Sequence, residues 1–227
     1  MSDGGPAAII FDMDGVLLDS EPLHMIAMNQ VLAAHGQAVD EAEYNTYVGA
    51  SSEETWVGLA RARGLPDDAA LYIARYSDAV AAVLEQQATP MPGLLPLLAD
   101  LRAAGTPLGV GSTSPLRWIE VSLRRCGIRD YFTAIVSGEM VARPKPAPDI
   151  FLRVAELLGM APAGCLVIED SGRGLEAARA AGMFAVALRR PEAGHAPDVT
   201  RADLVVPSLA AFHAWWRAQA GAGPAPG

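Results

Sequence analysis

Short apolar runs rich in β-branched residues alternate along this chain with longer segments whose apolar positions recur at helical spacing. The run 8–11 (AIIF) stops at Asp12, 108–111 (LGVG) stops at Ser112, and 165–168 (CLVI) stops at Glu169-Asp170. Runs at 134–136, 184–188 and 204–206 complete the set. Helical candidates lie near 94–104, 116–126, 148–158, 173–181 and 208–219, and Gly105, Gly127, Gly159 and Gly182 fall just past helix ends. A left-handed residue is favoured there to close the last turn. Continuous apolar strands separated by helices predict an α/β fold, a Rossmann-like parallel sheet covered by helices on both faces. In such sheets ligands sit beyond the carboxyl ends of the strands. The polar residues that end the runs are therefore expected to converge on one crevice.

The stretch 20–88 lacks any convincing strand. Its segment 21–35 is amphipathic and closes at Gly36, Ser51 and Glu54 form a capping box opening a helix that ends at Gly64, and a further helix follows Asp67-Asp68. Four helical pieces between the first strand and the next predict a small all-helical domain inserted into the sheet domain, returning through 88–93 (ATPMPG). The core is then discontinuous, 1–19 with 89–217, and 218–227, small residues and proline, reads as a disordered tail. An insert placed over the crevice suits a lid that closes on substrate and excludes water.

Composition narrows the function. With 227 residues, 51% of them hydrophobic and 19% charged, the chain can bury a real core. Seventeen basic against 26 acidic side chains give a net charge of −9, which argues against gripping nucleic acid through its backbone. Cys126 and Cys165 are far apart and lack metal-ligand spacing, which suits two reduced buried thiols. No secretory leader and no run long enough to span a membrane is present, so a cytoplasmic protein is expected. Sixteen of the 17 basic residues are arginine; Lys145 is the only lysine.

Asp12 and Asp14 lie two apart at the exit of a buried strand and project to the same side. Asp and Gly are also common where a strand meets a turn, so this segment alone fits either reading. Glu169-Asp170 ends another strand, and two such acidic pairs repel unless a cation lies between them. Oxygen ligands from separate strand ends suit Mg²⁺. Ser112-Thr113-Ser114 ends the strand lying between these in the chain and opens a helix at Pro115. Hydroxyls and backbone N–H groups there form an anion site, or an ordinary N-cap before an N1 proline; the two are compatible. Lys145, held between Pro144 and Pro146, has little backbone freedom and can serve as a fixed ammonium. Metal site, anion site, ammonium and paired carboxylates together suggest metal-assisted phosphoryl transfer, with Asp12 attacking phosphorus and Asp14 as acid and base.

The four segments DMDGV at 12–16, the hydroxyl residues at 112–113, KPAPDIF at 145–151 and VIEDS at 167–171 resemble, in order, the motifs of the haloacid dehalogenase superfamily. The helical insert resembles the C1 cap of the β-phosphoglucomutase-like phosphatases. The resemblance implies Asp12 as nucleophile and Asp14 as general acid and base. It implies Mg²⁺ held by Asp12, the Asp14 carbonyl and Asp170, with Glu169 beside it. Ser112, the Thr113 backbone and Lys145, with Gly15, would hold the phosphoryl group. Ser20 and His24 match cap positions that gate or contact substrate; for His24 a helix-surface or core role fits equally. Ser51, Ser52 and Trp56 are expected to face the crevice.

Within the family, Asp14 argues against the dehalogenases, and a cap without lysine excludes Schiff-base chemistry. Mutases carry an arginine where Ser52 stands and a lysine where Pro115 stands, because a bisphosphate must be bound at both ends; Arg117 is the nearest substitute. Hydrolysis of a small phosphorylated metabolite by a monomer or weak homodimer is the expectation. A hexose-phosphate mutase is the alternative, and a non-catalytic binder of a phosphorylated ligand the weaker one.

Overall fold

The computed structural model describes residues 6–48, 50–189 and 198–221. Six strands, β1 Ala8–Phe11, β2 Leu108–Ser112, β3 Ala134–Ser137, β4 Cys165–Glu169, β5 Phe184–Leu188 and β6 Leu204–Val206, form one sheet in the order β3-β2-β1-β4-β5-β6. Every pairing is parallel. The chain therefore winds outward from β1 in one direction and then, from β4, in the other. The turning point lies between β1 and β4, where parallel sheets open a crevice at their carboxyl ends.

Both faces of the sheet are covered, which is why β1, β2 and β4 are buried throughout. Ala8, Ile10, Val136 and Val167 on one face share a core with Ile150, Phe151 and Val154 of helix α7 (Asp149–Leu158) and Leu175 of α8 (Gly172–Ala180). A fully buried aliphatic side chain stabilises the fold by about 1.5–3 kcal/mol relative to an exposed one. In β2 the alternation of Gly109 and Gly111 lets α7 come close, because a Cβ at Gly109 would lie 2.3 Å from Val154 Cγ1. Helices α5 (Leu94–Ala103) and α9 (Leu209–Gly221) pack on each other, and α6 (Leu116–Arg125) follows β2.

β2, β3 and β4 each run one residue past their apolar runs, to Ser112, Ser137 and Glu169. The ladder continues through those polar residues, Ser112 opposite Ser137 and Glu169 opposite Ala187. A reading that stops at the first polar side chain misses this, because backbone pairing does not depend on side-chain polarity. Ser112 and Glu169 thus sit in the sheet itself. Helix α9 continues through Ala218–Gln219 to Gly221, since Ala and Gln favour helix; the rest of the expected tail lies outside the described residues. No helix among the described residues is long and apolar enough to cross a membrane.

The chain divides into two compact units, one containing Asp19 and everything before it together with Thr89 and everything after, the other Ser20–Ala88. In the second, α1 (Glu21–Ala33) and α3 (Ser52–Arg63) pack on α4 (Ala69–Gln87), with a short α2 (Glu41–Tyr44) capped by Asp40. Ser51 and Glu54 make the reciprocal capping box. Trp56, expected from sequence to face the crevice, packs into the core of this unit. It is fully buried, stacked on Tyr72 at 5.6 Å and tilted against Tyr76. Large aromatic surface is worth more inside this small helical core than at its rim.

Candidate active site

The site begins where β1 ends. The Asp12 N–H donates to Ile168 O at 3.0 Å, extending the β1–β4 ladder by one step. The chain then turns sharply: Met13 O accepts from the N–H groups of Leu17 and Val16, and Gly15 N–H donates to Leu18 O. Gly15 has φ +74°, and a Cβ there would lie 1.8 Å from Asp170 Oδ2. Only glycine suits both the left-handed backbone and the close approach of Asp170.

Lys145 is 5% exposed, with its ammonium 2.5 Å from Asp12 Oδ1 and 2.6 Å from Glu169 Oε1. The same ammonium lies 4.7 Å from the centroid of the Phe151 ring. Arg173 Nη2 donates to the Lys145 carbonyl at 2.6 Å, which pins the proline-flanked turn to the start of α8. Glu169 is fully buried and its other oxygen, Oε2, accepts from Asp170 N, Ser171 N and Ser171 Oγ. Such a buried charge is tolerable only because it is paired and hydrogen-bonded.

One ammonium faces Asp12 and Glu169, with Asp170 and Asp14 near Asp12. Burial pushes the Asp12 carboxyl well above the usual carboxylate range; Lys145 pulls it down, and Glu169, Asp14 and Asp170 push it further up. Burial disfavours the Lys145 ammonium, but Asp12 and Glu169 outweigh that and hold it protonated beyond the ordinary lysine range. Oxygen atoms of Asp12, Glu169 and Asp170 lie within 4.8 Å of one another. An all-oxygen donor set with surplus negative charge fits a hard divalent cation. The turn at Gly15, whose missing Cβ leaves room for the Asp170 carboxylate, brings that carboxylate beside Asp12. The Asp14 side chain takes no part in this cluster, leaving its carbonyl as the group it could offer.

Around Ser112 the structure differs from the sequence-based picture. Pro115 has φ −53° and ψ 143° and is itself the N-cap, its carbonyl accepting from Trp118 and Ile119 N–H groups, so α6 begins at Leu116. Neither Ser112 nor Ser114 caps the helix. The orphan Leu116 N–H is taken by Glu139 Oε2 at 2.8 Å. An acidic side chain at a helix N-terminus is favourable. Buried Ser112 accepts from Ser114 N–H, exposed Thr113 lies between them, and Ser114 Oγ donates to Asp14 Oδ2 at 2.7 Å.

The candidates of the helical unit are arranged within that unit. Ser20 is buried, its carbonyl accepting from Leu23 and His24 N–H groups and its hydroxyl without a partner among the described residues. His24 Nδ1 lies 3.0 Å from Tyr76 OH. The Ser51 hydroxyl is engaged with Glu54, and Ser52 is half-buried at the first position of α3.

Five contributors went unread in the sequence: Ser114 as the partner of Asp14, Ser137 at the end of β3 and Glu139 just after it, Arg173 on the Lys145 turn, and Gly174. A Cβ at Gly174 would lie 1.8 Å from Glu169 Oε1. The carboxyl-end rule applied to β3 would have found Ser137-Gly138-Glu139. Both thiols are free and raised by burial, Cys126 to about 11, so neither is a ready nucleophile.

Residues 9–188 match the haloacid dehalogenase-like hydrolase family. The fructose-1-phosphate phosphatase YqaB of Escherichia coli K12 is 34% identical over 186 residues, covering 81% of this chain and 96% of that protein. CbbY from Rhodobacter sphaeroides in complex with phosphate superposes with a TM-score of 0.76 at 30% identity, covering 90% of this chain and 95% of that one. A haloacid dehalogenase family hydrolase from Deinococcus radiodurans R1, with bound phosphate and sodium, superposes at 0.77 with 30% identity over 98% of this chain and all of that one.

Proposed function

We propose that this chain, which belongs to the haloacid dehalogenase-like hydrolases, is a Mg²⁺-dependent phosphatase that hydrolyses a small phosphomonoester through an aspartyl-phosphate on Asp12. The observation that carries the reading is the buried ion triad in which Lys145 bridges Asp12 and Glu169 beside Asp170. An acceptor carboxylate, a fixed cation and an all-oxygen donor set in one place are the parts that phosphoryl transfer requires.

The Asp12 carboxylate attacks phosphorus and the bond from phosphorus to the ester oxygen breaks. Asp14 gives its proton to the departing alkoxide. It then takes a proton from water, whose oxygen attacks phosphorus and releases Asp12 and inorganic phosphate. Lys145 orients Asp12 and balances charge on the transferring oxygens, with Ser112, the Thr113 backbone and Gly15 around the phosphoryl group. Mg²⁺, held by Asp12, Asp170, Glu169 and the Asp14 carbonyl, supplies further charge compensation when bound. We assign the helical unit as a C1 cap of the β-phosphoglucomutase-like type, with Ser20, His24, Ser51 and Ser52 as its candidates for substrate contact. The protein acts on its metabolite in the cytoplasm as a monomer or weak homodimer.

The mutase alternative is disfavoured by a specific charge. Where mutases carry a lysine this chain has Pro115, and the adjacent Leu116 N–H already holds the Glu139 carboxylate. A second phosphate would meet negative charge there. A non-catalytic binder is disfavoured because Asp12, Asp14, Lys145 and Asp170 are all present.

The phosphatases among similar proteins point to sugar phosphates as substrates. A panel of phosphomonoesters with Mg²⁺, including fructose 1-phosphate and β-glucose 1-phosphate with a trace of its bisphosphate, tests the reading. Phosphate release is expected; isomerisation outrunning release would overturn it in favour of the mutase.

A further inference from the structure

We infer that Ser114 is a positioning residue for Asp14, holding its carboxyl group in the orientation from which it serves the leaving group. This rests on the phosphatase reading and adds a residue that the motifs do not name.

The two Asp14 oxygens are not equivalent. Oδ2 accepts from Ser114 Oγ at 2.7 Å, whereas Oδ1 is buried and has no hydrogen-bond partner among the described residues. The hydroxyl can donate to Oδ2 whether Asp14 is protonated or not. With Oδ2 so engaged, the carboxyl plane is held through both half-reactions.

Ser114 is itself anchored from two places. Its N–H donates to Ser112 Oγ at 3.1 Å, and its carbonyl accepts from Ser137 Oγ at 2.7 Å. Ser137 Oγ accepts from Glu139 N–H, and Glu139 Oε2 closes the chain on Leu116 N–H. The ends of β2 and β3 thus jointly hold the backbone of Ser114. Since Pro115 is the N-cap of α6, the Ser114 hydroxyl serves no helix end. Its hydroxyl is given over to an aspartate 100 residues earlier in the chain.

A general acid matters most when the leaving group is a poor one. An alkoxide needs a proton; the phenolate released from para-nitrophenyl phosphate does not. kcat/KM reports the steps through departure of the alcohol, so comparing the two substrate types isolates the acid function of Asp14 from phosphoryl binding. Ser114→Ala is expected to lower kcat/KM for the best alkyl phosphomonoester of the panel by about 10- to 100-fold, the scale of a misplaced catalytic group. The value for para-nitrophenyl phosphate should hardly change. Ser114→Cys, nearly the same shape with a weak donor, should repeat the pattern and serves if the alanine variant does not fold; Ser114→Thr should restore the wild-type ratio. Equal loss on both substrates, or no loss on either, overturns the inference while leaving the phosphatase reading intact. Wild-type protein that cleaves neither substrate, or Asp12→Asn protein that still cleaves them, overturns that reading and the inference with it.

Discussion

Gly174 leaves open the space that the Glu169 carboxylate occupies: a Cβ at Gly174 would lie 1.8 Å from Oε1 and 2.4 Å from Oε2. Both oxygens are already committed, one to Lys145 and the other to the backbone and hydroxyl that follow β4. In an ordinary helix, replacing glycine by alanine gains about 1 kcal/mol. Here the added methyl must displace a fully buried carboxylate, and overpacking of that kind costs about 1–3 kcal/mol. Gly174→Ala should therefore unfold at lower denaturant concentration than wild type and require more Mg²⁺ for half-maximal activity. A variant more stable than wild type would show that Glu169 can move freely.

Removing Lys145 leaves Asp12 and Glu169 buried without their counter-charge. Breaking a buried pair from one side costs about 3–5 kcal/mol. Lys145→Ala should lose stability on that order in metal-free urea unfolding, recover part of it with Mg²⁺, and show no useful turnover. Unchanged metal-free stability would mean that the triad is more hydrated than its burial indicates.

The raised Asp12 carboxyl makes metal-free stability depend on pH in a definite direction. The folded protein keeps the Asp12 proton to a higher pH than the unfolded chain does. Between those two points the folded state binds more protons, so stability falls as pH rises from the usual carboxylate range toward the folded value. Urea unfolding of metal-free protein across that window should show this decline. It should be weaker in Asp12→Asn and in wild type with Mg²⁺ bound. A decline of equal size in Asp12→Asn would assign it to other groups.

Asp14→Asn keeps the Oδ2 acceptor for Ser114 but cannot exchange a proton. Its kcat should fall by about 10²–10⁴-fold, the usual contribution of general acid–base catalysis. Mg²⁺ binding should be retained, since the Asp14 side chain lies outside the carboxylate cluster. Isothermal titration beside steady-state kinetics separates the two effects; loss of metal binding would place the Asp14 side chain among the ligands.

The fold is legible in the sequence because each buried strand is a short apolar run ended by a polar residue. The strand order then does what composition cannot: it sets β1 beside β4, which draws Asp12, Glu169 and Asp170 together. Lys145 stood out as the only lysine, but its insertion between two carboxylates depends on the turn before α7 and on Arg173. Interactions decided by side-chain rotamers were not readable. Ser114 looked like a helix cap, and only the extended backbone at Pro115 frees it for Asp14. Trp56 was expected to face the crevice because helical periodicity does not tell which side of a small bundle holds its aromatic stack. Gly174 is one glycine among 22, and its reason lies in the buried carboxylate of Glu169, which no local pattern records.

The central claim is that Asp12 is phosphorylated during turnover. Acid-quenching wild-type protein within milliseconds of mixing with Mg²⁺ and the best phosphomonoester of the panel, followed by peptide mass spectrometry, measures this directly. The peptide containing Asp12 should gain the mass of one phosphoryl group, with Asp12 as the modified residue, and Asp12→Asn protein of unchanged fold should show neither the adduct nor phosphate release. Rapid phosphate release from the Asp12→Asn protein, or a phosphoryl group found on another residue, would contradict the account.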